Sequence, residues 1–157
     1  MILYLFRHAD AVMHASSDAE RALSDKGVEQ AKQAGRFCLK HQLVPELILT
    51  SPLRRAGQTA RFFAEEIGEP DLISVAPFLA CGMDPESALR ELKVYRELEG
   101  VMLVGHEPDL GRLASRLLGP GTRGKIKIRK ASLTVFELDA MRPDSAELQF
   151  SIPAKFM

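Results

Sequence analysis

Four apolar residues in a row, Val101-Met102-Leu103-Val104, sit between Gly100 and Gly105-His106. A strand with one wet face alternates apolar and polar residues; a continuous run is buried on both faces, the pattern of a parallel sheet covered by helices. Residues 2–6, 47–50 and 72–76 read as further short strands. Between them apolar residues recur at helical spacing. Val28, Ala31, Gly35, Cys38 and Leu39 follow a Ser24 cap up to about His41, and Leu53, Ala56, Ala60, Phe63, Ala64 and Ile67 run from the cap and first-turn proline of Ser51-Pro52 to Gly68. Asp84-Pro85 opens a helix carrying Leu89, Leu92 and Leu98 up to Gly100, and Leu110, Leu113, Ala114, Leu117 and Leu118 make another, closed by Gly119-Pro120. Ile126 to Leu138 and Glu147 to Ile152, joined across Arg142-Pro143-Asp144-Ser145, predict a β-hairpin. Strand and helix therefore alternate. The expected fold is α/β in three layers, a mostly parallel sheet with helices on both faces and a C-terminal β-hairpin, in a single domain over residues 1–157.

Composition narrows the partners. The chain has 157 residues with 21 Lys plus Arg against 21 Asp plus Glu, a formal charge of zero. A nucleic-acid binder draws affinity from a basic excess that neutralises phosphates, so no nucleic-acid partner is expected. A 46% hydrophobic and 27% charged composition is that of an ordinary globular chain. Arg7 ends the apolar run that begins at Ile2, without the flanks of a signal peptide, and no stretch approaches the roughly 20 apolar residues of a membrane span. Cys38 and Cys81 form no C-x-x-C pattern and are expected to be reduced, small buried hydrophobes. These readings point to a cytoplasmic protein with no membrane partner.

Three strands end on residues that an apolar core would not select: Arg7-His8, Ser51-Pro52-Leu53-Arg54-Arg55 and Gly105-His106. In open α/β sheets ligands lie beyond the carboxyl ends of the strands, so distant segments would deliver two histidines and two arginines to one crevice. Arg55 would lie in the first turn of its helix, where free N–H groups add to the attraction for an anion. Arg54, about 100° further round, is expected to face solvent. A permanently charged guanidinium matches phosphate oxygens with a planar fork of donors, and a desolvated imidazole can attack phosphorus. Glu107 and Asp109 read as helix-capping carboxylates, and His14 and His41 as surface residues.

These segments resemble the histidine phosphatase superfamily, whose fold is phosphoglycerate mutase-like. The resemblance rests on Leu5-Phe6-Arg7-His8-Ala9-Asp10-Ala11, on Ser51-Pro52-Leu53-Arg54-Arg55-Ala56-Gly57-Gln58-Thr59-Ala60 and on Val104-Gly105-His106-Glu107-Pro108. With Asp18-Ala19-Glu20-Arg21-Ala22-Leu23-Ser24-Asp25-Lys26-Gly27 added, the chain looks like the short SixA-like phosphohistidine phosphatase branch, over about residues 2 to 118. The resemblance implies His8 as the nucleophile, Arg7 and Arg55 as the clamp on the phosphoryl oxygens, and His106 as a hydrogen-bond donor to the same group. It implies a further contact from Arg21 to phosphate or substrate. Asp18 is the expected proton donor and Asp84 its rival, since the segment from Pro77 to Glu86 offers no equivalent of the glutamate that larger members use. The chain departs from the family at Ala9, where most members carry glycine.

The implied activity is a metal-independent phosphatase working through a phosphohistidine intermediate, with no cofactor. Its brevity against lidded mutases argues for an open site and for hydrolysis. A phosphorylated substrate is the expected partner, a phosphohistidine-bearing protein domain being the first choice. The alternatives are a small phosphorylated metabolite and a catalytically weak phospho-ligand binding module. Competing motifs fail on context. Gly119-Pro120-Gly121-Thr122-Arg123-Gly124-Lys125 has the spacing of a phosphate-binding loop, but Ile126 stands where Ser or Thr is required, and the stretch reads as a turn. His8-x-Asp10 lacks the further ligands of a metallophosphoesterase, and Cys81 has no arginine six residues on. The basic run Lys125-Ile126-Lys127-Ile128-Arg129-Lys130 alternates as an exposed strand face does, its functional alternative being a rim for an acidic partner or phosphate.

Overall fold

Alternate residues of the central strands feed two separate cores. The computed structural model describes residues 1–119 and 126–157. Its six strands are β1 (Ile2–Arg7), β2 (Leu47–Thr50), β3 (Ile73–Val75), β4 (Gly100–Gly105), β5 (Ser132–Leu138) and β6 (Ala146–Pro153). The helices are α1 (Asp25–Lys40), α2 (Arg54–Ile67), α3 (Pro85–Leu92) and α4 (Asp109–Leu117). The strands form one sheet in the order β3-β2-β4-β1-β5-β6, parallel from β3 to β1 and antiparallel at β5 and β6. Tyr4, Phe6, Ile48, Met102 and Val104 pack with Ala31, Ala34 and Cys38 of α1 and with Ala60, Phe63 and Ala64 of α2. Leu3, Leu5, Leu49, Val101 and Leu103 pack on the other face with Leu89 and Leu92 of α3 and with Leu110, Leu113 and Leu117 of α4. All six residues of β4 are buried, as its unbroken apolar run requires.

Each fully buried large side chain contributes about 1.5–3 kcal/mol, and truncating Phe63 to alanine would cost about 3–5 kcal/mol. Local signals set the ends of the elements. Ser24 Oγ accepts from Gly27 N, Asp84 accepts from Ser87 N, and Gly68 closes α2 at φ +79°. Gly27 also lets α1 sit on the loop after β1, because a Cβ there would lie 1.9 Å from Asp10 O. Among the described residues no helix is long and apolar enough to cross a membrane.

Three boundaries differ from the sequence reading. α2 starts at Arg54 with no side-chain cap, because Ser51 turns its hydroxyl inward. α3 ends at Leu92 and gives way to a 3₁₀ turn at Lys93–Tyr95, which brings Leu98 against the α3/α4 core. β5 begins at Ser132, so residues 126–131 leave the sheet ladder and cross over the end of β1. The phosphate-loop-like stretch from Pro120 onward, and Lys125 of the basic run, lie outside the described residues.

Candidate active site

Register alone brings the two histidines together. β1 and β4 are parallel neighbours with Arg7 opposite Gly105, so His8 and His106 leave the sheet side by side. His8 N donates to Gly105 O at 3.0 Å, and the two rings stand 5.2 Å apart at 52°. β2 lies on the other side of β4, where Ser51 N donates to Val104 O at 2.9 Å and starts the turn into α2. The three strand ends singled out in the sequence therefore do meet, and His8, His106 and Arg55 are all buried there. Arg54 is half exposed near Glu20, so adjacent arginines have separate roles, as helical geometry requires.

Hydrogen bonds fix how each group is presented. His8 Nδ1 lies 2.8 Å from the Ala9 carbonyl, which can only accept, so Nδ1 carries the proton and Nε2 has a bare lone pair. Burial, with the charges of Arg55 and Arg7 and the neighbouring His106 adding to it, lowers the His8 pKa from 6.5 to about 3. Burial and Arg55 likewise lower His106 to about 4. Both rings are neutral near pH 7. Arg7 Nη1 donates to Ile128 O at 2.9 Å, while its buried Nε has no protein partner among the described residues; nor has His106 Nδ1. Buried polar atoms are nearly always paired, so these two point to a polar ligand at the crevice.

The loop after β1 holds the second arginine in place. Arg55 Nη1 donates to the Asp18 carbonyl at 2.7 Å and Nη2 to the Asp18 carboxylate at 3.0 Å. Arg21 bridges the other carboxylate oxygen at 3.0 Å and Val12 O at 2.7 Å, so Arg21 reaches Arg55 through Asp18. Ala19 O accepts from Arg54 N, so this N–H of the α2 terminus is taken by the loop. Thr59 accepts from Ala9 N at 3.1 Å and donates to Arg55 O at 2.7 Å, locking the turn after His8 to the first turn of α2. Ala9, the position where the family favours glycine, is fully buried in the α1/α2 core, so its Cβ is accommodated there.

The acids divide differently from expectation. Arg21 and then Arg55 hold the Asp18 carboxyl below the usual carboxylate range. It is thus ionised at neutral pH, which works against the proton-donor role expected for it. Asp84 is exposed and held low by the N–H and hydroxyl of Ser87, as a cap. Glu107 accepts from Gly111 N at 3.3 Å, close to its expected capping role, and burial raises its pKa against the pull of Arg7. Asp109 does not cap α4. It is buried and accepts from Gly82 N at 2.8 Å, pinning the loop beside the site.

Sequence reasoning missed Thr59, the Ile128 carbonyl and Cys81. Cys38 is buried as expected, but Cys81 is exposed with Sγ 3.8 Å from Arg55 Nη2. Thr59 was accessible to it, since it follows Arg55 by one helical turn on the same face. A backbone carbonyl leaves no sequence signal. His14 and His41 are exposed, as expected. The whole arrangement offers one bare ring nitrogen, two fixed cations and a second neutral ring, which suits attack on a tetrahedral anion.

The family model described as the histidine phosphatase superfamily (branch 1) matches residues 3–77. An uncharacterized protein of Picosynechococcus sp. is 32% identical over 151 residues, covering 90% of this chain and 88% of the relative. The phosphohistidine phosphatase SixA of Escherichia coli (strain K12) is 28% identical over 119 residues, 74% of each chain. The structure of the protein histidine phosphatase SixA complexed with tungstate superposes at a TM-score of 0.90 with 22% identity, covering 99% of both chains.

Proposed function

The chain belongs to the histidine phosphatase superfamily, and on that premise we propose that it hydrolyses a phosphohistidine-bearing substrate by way of a covalent intermediate on His8. The observation that carries this reading is the His8 ring: its Nδ1 proton is engaged by Ala9 O, and its bare Nε2 emerges at a crevice lined by Arg7, Arg55 and His106. In the first step Nε2 attacks phosphorus and the bond to the leaving group breaks, its electron pair going to the leaving atom. In the second step water attacks the phosphohistidine, the P–N bond breaks, and phosphate leaves with neutral His8 restored. Arg7 and Arg55 balance the charge on the phosphoryl oxygens, and His106 hydrogen-bonds to the same group. This needs fixed cations in place rather than a metal ion.

The state of Asp18 favours phosphoramidates over alkyl esters. An alkoxide needs a proton as it departs, whereas a departing imidazole takes one from solvent at its other nitrogen. With Asp18 ionised by Arg21 and Arg55, we assign it to positioning the Arg55 guanidinium. A phosphohistidine on a protein is the substrate supported by the likeness to phosphohistidine phosphatase SixA. A panel of phosphohistidine peptides, sugar phosphates, nucleotides and aryl phosphates, run with a chelator, tests the reading. Phosphohistidine peptides are expected to turn over fastest, with acid-labile label trapped on His8 after quenching. Preference for a sugar phosphate or nucleotide would overturn the substrate class, and phosphate binding without label or turnover would make the chain a binding module.

A further inference from the structure

A neutral histidine carries one proton, so the donor role given to His106 depends on which nitrogen holds it. The buried Ser51 hydroxyl lies 2.7 Å from His106 Nε2. Leu53 N donates to the same hydroxyl oxygen at 3.3 Å, so that oxygen is already accepting one bond and its own proton needs an acceptor. The ring nitrogen is the acceptor it faces. The reverse assignment, Nε2–H donating to Ser51, would leave the hydroxyl proton unpaired in a buried place and turn a second bare lone pair toward an anion site. Nδ1 is buried on a ring packed beside His8, has no partner among the described residues, and lies in the field of Arg55 and Arg7.

We propose that Ser51 is a positioning residue: its hydroxyl donates to His106 Nε2 and thereby fixes the proton on Nδ1, making that atom a neutral hydrogen-bond donor for a phosphoryl oxygen. Two imidazoles side by side thus do opposite things. The Ala9 carbonyl makes His8 an electron-pair donor, and Ser51 makes His106 a proton donor. The inference rests on the phosphatase reading for its catalytic consequence, but the tautomer itself does not.

The test is the ring nitrogen spectrum of ¹⁵N-histidine-labelled protein near pH 7, with the His106 signals assigned by their loss in His106→Asn. The expected result is a proton-bearing Nδ1 and a bare Nε2 in the wild-type chain. Ser51→Ala should move the ring toward Nε2–H and lower kcat about 10- to 100-fold with KM little changed, while Ser51→Thr, which keeps the hydroxyl, restores both. A wild-type His106 with its proton on Nε2 overturns the proposal, as does a Ser51→Ala protein with unchanged tautomer and kcat. If no phosphate compound turns over but the Nδ1–H signal is present and lost in Ser51→Ala, the assignment of Ser51 stands and the phosphatase reading falls.

Discussion

The ends of β1 and β4 deliver the same side chain to the same crevice by different means. His8 is held through Nδ1 by a main-chain carbonyl, His106 through Nε2 by a side-chain hydroxyl. Burial lowers the pKa of both, so neither role is set by charge at neutral pH. The difference lies in which atom is left over. A carbonyl anchor survives any substitution of the residue that supplies it, whereas a hydroxyl anchor is lost with one atom. His8, the proposed nucleophile, has the more robust of the two.

Removing each ring in turn tests the division of labour. His8→Ala should reduce kcat by about 10⁴-fold or more, because no other group can take the phosphoryl. His106→Ala should cost about 10²–10³-fold, the loss of one donor to a developing charge. Equal losses in steady-state turnover would erase the distinction. Arg55→Ala should weaken inhibition by inorganic phosphate by roughly 10- to 100-fold, the worth of a charged hydrogen bond, while Arg54→Ala leaves it unchanged. A matching loss at Arg54 would contradict the burial difference between them.

The two rings share one acid response. Both have pKa values below the ordinary 6.5, His8 at about 3 and His106 at about 4. Well above pH 6.5 both rings are neutral in the folded and the unfolded chain alike, so neither affects the pH dependence of stability there. As pH falls below 6.5 the unfolded chain takes up protons that the folded chain refuses, so stability declines with falling pH until the folded pKa is reached. Chemical denaturation between pH 7 and pH 4.5 should show this slope, shallower in His8→Gln and in His106→Gln. A wild-type chain equally stable at both pH values would refute it. The smallest effect is expected at Asp18, largely exposed beside its arginines. Asp18→Asn should lower kcat only a few-fold, through looser placement of Arg55. A loss of about 10²-fold or more, with the alkaline limb of the pH–rate profile abolished, would restore it as the proton donor.

Much of the crevice was legible because strand ends are. Apolar runs that stop abruptly at Arg7-His8, Ser51 and Gly105-His106 mark both the sheet and its functional edge, and parallel register does the rest. The antiparallel side was less legible. Ile126 to Lys130 alternates like a strand, yet Arg7 takes the Ile128 carbonyl, and the Ala131 N–H turns to the carbonyls of Arg7 and His8. Ala131 sits at φ +51° to do so, a left-handed conformation that costs a non-glycine residue roughly 1–2 kcal/mol and that propensity disfavours. Ser51 was misread for a related reason. A serine before proline is a good cap in isolation, and only the fold shows that a buried ring competes for its hydroxyl. Asp18 reads as the acid on resemblance alone; of its two arginine partners Arg21 lies three residues on, whereas Arg55 comes from another segment that no local pattern links to it.

The crossing of residues 126–131 over the end of β1 also bears on when the site comes into being. Arg7 and the carbonyl that receives its guanidinium are separated by 121 positions, so the ribosome makes His8 early and the wall beside it late. A nascent chain that has extruded only its parallel strands carries His8 without the carbonyl that aims Arg7.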